Sequence, residues 1–277
     1  MNAVKKVLIV GGGIGGLCAA IALRRQGIEV DLVELKTQWT VYGVGIIQQS
    51  NVFREMAKSG VLDGYLDAAC AFEDVTINTT AGERLARIPG QRLAGPEYPA
   101  NVGISRLALH QVLSETVAAL GVSVRLGLSV ESLEQVGEGV DVLFTDTRRG
   151  RYDLVVGADG LYSHMRGLLF GEQYSPRFTG QAVWRYNFPR AAGIDHLATF
   201  QGAAGMAIED AVVLGEELVA GGSVVQLPER FMARRYERCK FISDSSVLAG
   251  DKEMAYDSSF DRIGLVRRML DVTAAPI

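Results

Sequence analysis

The stretch VLIVGGGIGGLCAAIAL, Val7 to Leu23, decides the fold. Four apolar residues, three of them β-branched, lead into five glycines in six positions, and an alanine-rich segment follows. The pattern reads as a buried parallel strand, a tight turn and a helix. Val4 to Val10 is the expected strand and Ile14 to Gln26 the expected helix, ended by Gly27. EVDLVE, Glu29 to Glu34, is the next strand, which completes one βαβ unit. Within the turn, Gly11, Gly13 and Gly16 fit G-x-G-x-x-G. The first makes the tight turn, the second lets a pyrophosphate approach the backbone, and the third lets the helix pack on the strand. The helix start offers free N–H groups and a positive dipole end to a phosphate. Glu34 closes the second strand, where a carboxylate holds a ribose 2′-hydroxyl and repels a 2′-phosphate. The unit therefore reads as dinucleotide-binding. It does not distinguish a diffusing nicotinamide nucleotide from a resident flavin.

The 277 residues are 48% hydrophobic and carry a net charge of −4, with no basic run to attract nucleic acid. Cys18, Cys70 and Cys239 are far apart and form no CxxC pair, which argues against a disulfide framework or a zinc site. A reducing compartment, the cytoplasm, is expected. The apolar run at the start is too short for a signal-peptide core, and no stretch approaches the length of a membrane span.

Beyond the first unit, VYGVGIIQQSN (Val41 to Asn51) is expected to be a loop and NVFREMAKSG a helix closed by Gly60. Glu73 to Pro89 reads as a β-hairpin. Ser105 caps a helix, RLALHQVLSETVAAL, closed by Gly121. Three strands are expected next: VSVRLG, GVDVLFTDT and RYDLVVGADG. TGQAVWRYNF is a later strand, and everything after Gly202 reads as helical.

DLVVGADGLYSHMR, Asp153 to Arg166, resembles the "DG" fingerprint of class A FAD-dependent aromatic monooxygenases, the p-hydroxybenzoate and salicylate hydroxylase type. The resemblance implies an α/β fold: a Rossmann-like FAD-binding domain of parallel sheet plus β-meander, with an incomplete β-rich substrate domain. It places Asp159 and Gly160 near the FAD ribose and pyrophosphate. ISRLALHQVL looks like the family's arginine-leucine helix, with Arg106 toward the flavin. Val130 matches the position whose backbone meets the adenine, and Gly43 to Asn51 resembles the loop beside the isoalloxazine ring. GMAIEDAVVLGEEL resembles the helix whose N-terminus faces the flavin pyrimidine, which adds Gly202 and Gly205 to the expected cofactor contacts. The glycines would then hold FAD, with NAD(P)H as a diffusible reductant, O₂ as oxidant and a small aromatic compound as substrate. FAD-binding segments would be 1–72, 101–178 and 196–277, and 73–100 with 179–195 a remnant of the substrate domain.

The chain departs from the family after AVWRYNF. The passage that completes the substrate sheet and supplies a GDAAH motif is missing, and Asp195 and His196 are its only compressed trace. No residue stands out as a catalytic base: His110 and His164 read as structural or exposed, and Glu209-Asp210 and Glu216-Glu217 as polar helix faces. No metal-ligand spacing appears. Two other readings stay open, a non-catalytic relic that binds flavin weakly or acts through a partner, and an NAD-dependent dehydrogenase using the first motif alone. The sequence leaves the substrate, the choice of NADH or NADPH, and oligomer formation undecided.

Overall fold

The computed structural model describes residues 4–41, 43–78, 84–177, 196–197, 212–220, 226–254 and 259–275. In chain order the elements are β1 (Lys6–Val10), α1 (Ile14–Arg25), β2 (Glu29–Glu34), β3 (Gly45–Gln49), α2 (Asn51–Lys58), α3 (Leu62–Asp67), β4 (Cys70–Phe72), β5 (Asp74–Asn78), β6 (Arg84–Pro89) and β7 (Asn101–Ser105). There follow α4 (Arg106–Ala119), β8 (Ser123–Leu126), β9 (Val130–Val136), β10 (Gly139–Phe144), β11 (Arg149–Tyr152), β12 (Leu154–Gly157), α5 (His164–Phe170), α6 (Leu227–Met254) and α7 (Arg262–Ala274).

The central sheet is parallel, in the order β12-β1-β2-β8. β1 lies at its centre, with Val7 opposite Val30 on one side and Leu154 on the other. Strand alternation sends Val7 and Ile9 to the face covered by α1 and α4, where they meet Leu17, Ile21 and Leu113. Leu8 and Val10 point the other way and pack with Val142, Phe144 and Tyr152 of the antiparallel meander β9-β10-β11. Both faces are covered, so β1 is apolar after Lys6. Ser105 caps α4 as its sequence implies, its hydroxyl accepting the Ala108 N–H.

The stretch RYDLVVGADG is two strands, not one. Tyr152 ends the meander opposite Val140, whereas Leu154 begins a parallel strand beside β1. The hinge is Asp153, whose Oδ2 accepts the N–H groups of Lys5 and Lys6 at 2.7 and 2.8 Å. Its own N–H donates to the Lys6 carbonyl. Strand-forming residues on both sides of Asp153 hide that change of sheet. The glycine-rich segment 41–51 is likewise not all loop, because it contains β3, which pairs antiparallel with β7 while β4 borders β7 on its other edge. β9 is a further strand that the sequence reading did not contain.

The hairpin expected over Glu73 to Pro89 forms from β5 and β6. Leu197 joins it by a parallel bridge to Val75, exchanging hydrogen bonds with Asp74 and Thr76. The expected strand TGQAVWRYNF lies outside the described residues, as do Asp195, Glu209 and Asp210. Residues 212–219 are helical, and an ion-pair cluster fastens them to their neighbours. Glu217 binds Arg230 and Arg234, while Glu216 binds Arg234 and Lys58. The two glutamates expected as a polar helix face also tie α2, this stretch and α6 together.

Candidate functional site

The site begins where β1 ends. Gly11 has φ +113, and a Cβ there would stand 2.4 Å from the Ala158 carbonyl oxygen at the end of β12. A Cβ on Gly16 would fall 1.9 Å from the Gly11 carbonyl oxygen. These two positions are closed to any side chain, one by the backbone that follows β12 and the other by contact of helix with turn. Gly13 differs: a Cβ there would meet nothing within 4 Å. It is also the N-cap of α1, with no side-chain cap and no acidic residue in the first turn. The helix start therefore opens onto free space with its donors uncapped.

Three side chains hold the turn in this shape. Glu34 Oε2 accepts the Gly12 N–H at 2.7 Å, and its Oε1 accepts the Lys36 N–H at 3.0 Å. Trp39 Nε1 donates to the Gly12 carbonyl at 3.0 Å. His110 Nε2 stands 3.0 Å from the same oxygen, and since a carbonyl only accepts, the imidazole carries its proton on Nε2. The Trp39 and His110 rings meet edge-on with centroids 5.6 Å apart. His110 is buried within α4. Trp39 went unnoticed in the sequence because a lone tryptophan in a polar stretch carries no motif. His110 carried a signal only in being a polar residue on the apolar face of α4.

The other expected site residues fall at several places around this turn. Val130 is fully buried at the start of β9, and the preceding Leu128 donates its N–H to the Glu34 carbonyl. Arg106 begins α4 and lies against Gly43, where a Cβ would come within 3.2 Å of its Cδ and Nη1. Among the described residues its guanidinium has no hydrogen-bond or ion-pair partner. Asp159 turns inward: its carboxylate accepts the Ser163 hydroxyl and, at 3.0 Å, the Met165 N–H at the start of α5. Gly160 has φ +85 and open space where a Cβ would stand. Gly202 and Gly205 lie outside the described residues.

Little else among the described residues has the makings of a reactive group. Burial pushes the Cys18 thiol up to about 12, far from a thiolate at neutral pH. Tyr65, also buried and shifted upward, donates to Gln48. His164 is exposed at the start of α5. Among the described residues no three His, Cys, Asp or Glu side chains are grouped to hold a metal, and no helix is long and apolar enough to cross a membrane.

Residues 5–179 match the FAD binding domain family. Aurachin C monooxygenase/isomerase of Stigmatella aurantiaca is 35% identical over 179 residues, which cover 65% of this chain and 46% of that protein. 3-Hydroxybenzoate 6-hydroxylase of Klebsiella oxytoca is 32% identical over 190 residues, covering 67% and 47%. The chain thus spans just under half the length of these relatives. Among solved structures, 2-methyl-3-hydroxypyridine-5-carboxylic acid oxygenase superposes over 98% of this chain and 96% of its own, with a TM-score of 0.71 at 17% identity. That likeness is one of fold.

The residues present fit the adenosine half of FAD. The open face at Gly13 and the uncapped helix start suit a pyrophosphate. Each Glu34 oxygen accepts one backbone N–H and retains a lone pair for a hydroxyl.

Proposed function

Because the chain belongs to the FAD binding domain family, we propose that it is the flavin-holding part of an FAD-dependent monooxygenase that hydroxylates a small aromatic compound, with NAD(P)H as reductant. The observation that carries this reading is the Gly11–Gly16 turn, fixed by Glu34, Trp39 and His110 with its Gly13 face open. The chemistry that FAD supplies when bound is acceptance of a hydride from NAD(P)H and activation of O₂ for transfer of one oxygen atom to an electron-rich ring.

The chain's own residues bind and orient. Glu34 would hold the adenosine ribose hydroxyls and, by its charge, refuse a 2′-phosphate. The Gly13 amide and the start of α1 would receive the pyrophosphate. Val130 would border the adenine through its backbone. Arg106, a cation with no partner among the described residues, would turn toward the flavin. Asp159 acts through the conformation of its own loop, which it ties to α5, and sets where Gly160 stands. The family's Asp-His pair has its nearest counterpart in Asp195 and His196, but Leu197 beside them is bridged to β5 of the hairpin. That placement favours a role for this segment on the substrate side. The cytoplasm, where NAD(P)H is regenerated, is the compartment we assign.

The competing reading as a non-catalytic relic draws on the short span relative to its relatives. Purification decides between them at the level of the cofactor. A yellow protein that releases one FAD per chain on denaturation supports the flavin-holding role. A colourless chain that does not take up added FAD removes it.

A further inference from the structure

At the end of the parallel sheet away from the glycine turn, a cavity of about 310 Å³ opens between β1, β2, β8 and the meander. Lys6, Asp31, Arg125, Arg149, Arg151 and Tyr152 line it. Four cations face one carboxylate, in a chain whose net charge is −4. Lys6 lies four residues before Val10, so about 13 Å of strand separates the cavity from the turn at ~3.3 Å per residue.

The cations are not all spoken for. Lys6 pairs with Glu29 at 2.7 Å and stands 3.5 Å from Asp31. Arg151 pairs with Asp141 and donates to the Val136 carbonyl. Tyr152 donates its hydroxyl proton to Asp31 at 2.7 Å and accepts from Arg125 Nη2 at 3.2 Å. Arg125 also lies over the Phe144 ring, 4.3 Å from its centroid, which fixes the plane of its guanidinium. Its buried Nε–H has no hydrogen-bond partner. The Arg149 side chain, at the exposed rim, has no partner among the described residues. Arg149 is thus a cation that an incoming acceptor can reach without displacing an existing bond.

We propose that this cavity binds a compact, multiply charged oxyanion: a phosphate group, either free or borne by a small molecule. The Arg149 fork matches the oxygen geometry of phosphate, and counting Glu29, Asp31 and Asp141 against Lys6, Arg125, Arg149 and Arg151 leaves one positive charge unneutralised. The volume falls at the small end of ligand cavities, ~300–1,000 Å³.

The test is calorimetric titration of the full chain, in excess FAD, with inorganic phosphate and separately with glycerol 3-phosphate, against sodium chloride at matched ionic strength. Saturable binding of either ligand, weakened about tenfold or more by Arg149→Ala, is the expected result. Tighter binding of the ester identifies a small-molecule phosphate as the occupant, and tighter binding of the free ion identifies phosphate itself. Arg149 is exposed, so the Arg149→Ala chain should keep its melting temperature. Absence of saturable binding overturns the proposal. So does binding that Arg149→Ala leaves unchanged, because a phosphate lodged at the glycine turn would be indifferent to that substitution.

Discussion

The imidazole Nε2 of His110 stands 3.0 Å from the carbonyl oxygen of Gly12, a residue 98 positions earlier in the chain. Trp39 Nε1 donates to the same oxygen at 3.0 Å. Two elements distant in sequence thus share one acceptor in the turn and hold its peptide planes.

Removing either donor should loosen the turn and weaken flavin binding together. His110→Phe is expected to cost about 1–3 kcal/mol of stability, the range for a buried group that loses its partner. Thermal melts of His110→Phe, Trp39→Phe and the double variant check this. Because the two donors share an acceptor, the double variant should differ from the sum of the singles. Wild-type melting temperature and FAD affinity in both single variants would show that the turn holds its own shape.

Asp159 should matter even without flavin. Its carboxylate joins Ser163 and the Met165 N–H, so Asp159→Ala removes a cap from the start of α5. A loss of about 0.5–2 kcal/mol is expected in the flavin-free chain. Unfolding by urea, with and without FAD, separates the two contributions. A variant as stable as wild type without FAD but unable to retain it would mean that Asp159 serves the cofactor directly.

Acid should release the tie between α6 and residues 212–219. The Arg234 guanidinium holds the Glu217 carboxyl below its ordinary 4.5, against the opposing effect of burial and with further help from Arg230. A carboxyl lowered in the folded state contributes stability above its ordinary value and loses it as pH falls through the lowered one. Glu217→Gln should therefore cost on the order of 1–3 kcal/mol at neutral pH. The gap between the two melting temperatures should close between about pH 5 and about pH 3. A gap that stays constant over that range would show that the ion pairs add nothing.

The opening βαβ unit was legible in the sequence almost residue by residue. β2 is Glu29–Glu34 as expected, and α1 starts at Ile14. Periodicity and glycine punctuation are local signals, and there local signals coincide with the tertiary structure. They separate at Asp153, where one expected strand is divided between two sheets by a side chain that accepts two backbone N–H groups from β1 and its approach. They separate again at β3, where glycines suggested a loop and pairing with β7 makes a strand. The clamp on Gly12 was the least legible part of the site. It joins residues 12, 39 and 110, and no spacing rule relates them.

On the reading that this chain is the flavin-holding part of a monooxygenase, it should couple NADH oxidation poorly to hydroxylation when assayed alone. Water exclusion and close placement of the ring are needed for oxygen transfer, and misplacement by about 1 Å costs on the order of 10²-fold in rate. With NADH, O₂ and a panel of phenols and hydroxybenzoates, most of the NADH consumed should appear as H₂O₂. Stoichiometric hydroxylation of any one aromatic would show that the site closes.

The claim on which the rest depends is that the Gly11–Gly16 turn and Glu34 grip the adenosine half of a flavin. It is tested most directly by titrating flavin-free protein with FAD and with FMN, which lacks that half. FAD should bind at least about a hundredfold more tightly, the difference that two hydrogen bonds to a charged group supply, and Glu34→Ala should narrow the gap by about tenfold or more. Equal affinity for FAD and FMN, unchanged by Glu34→Ala, would contradict it.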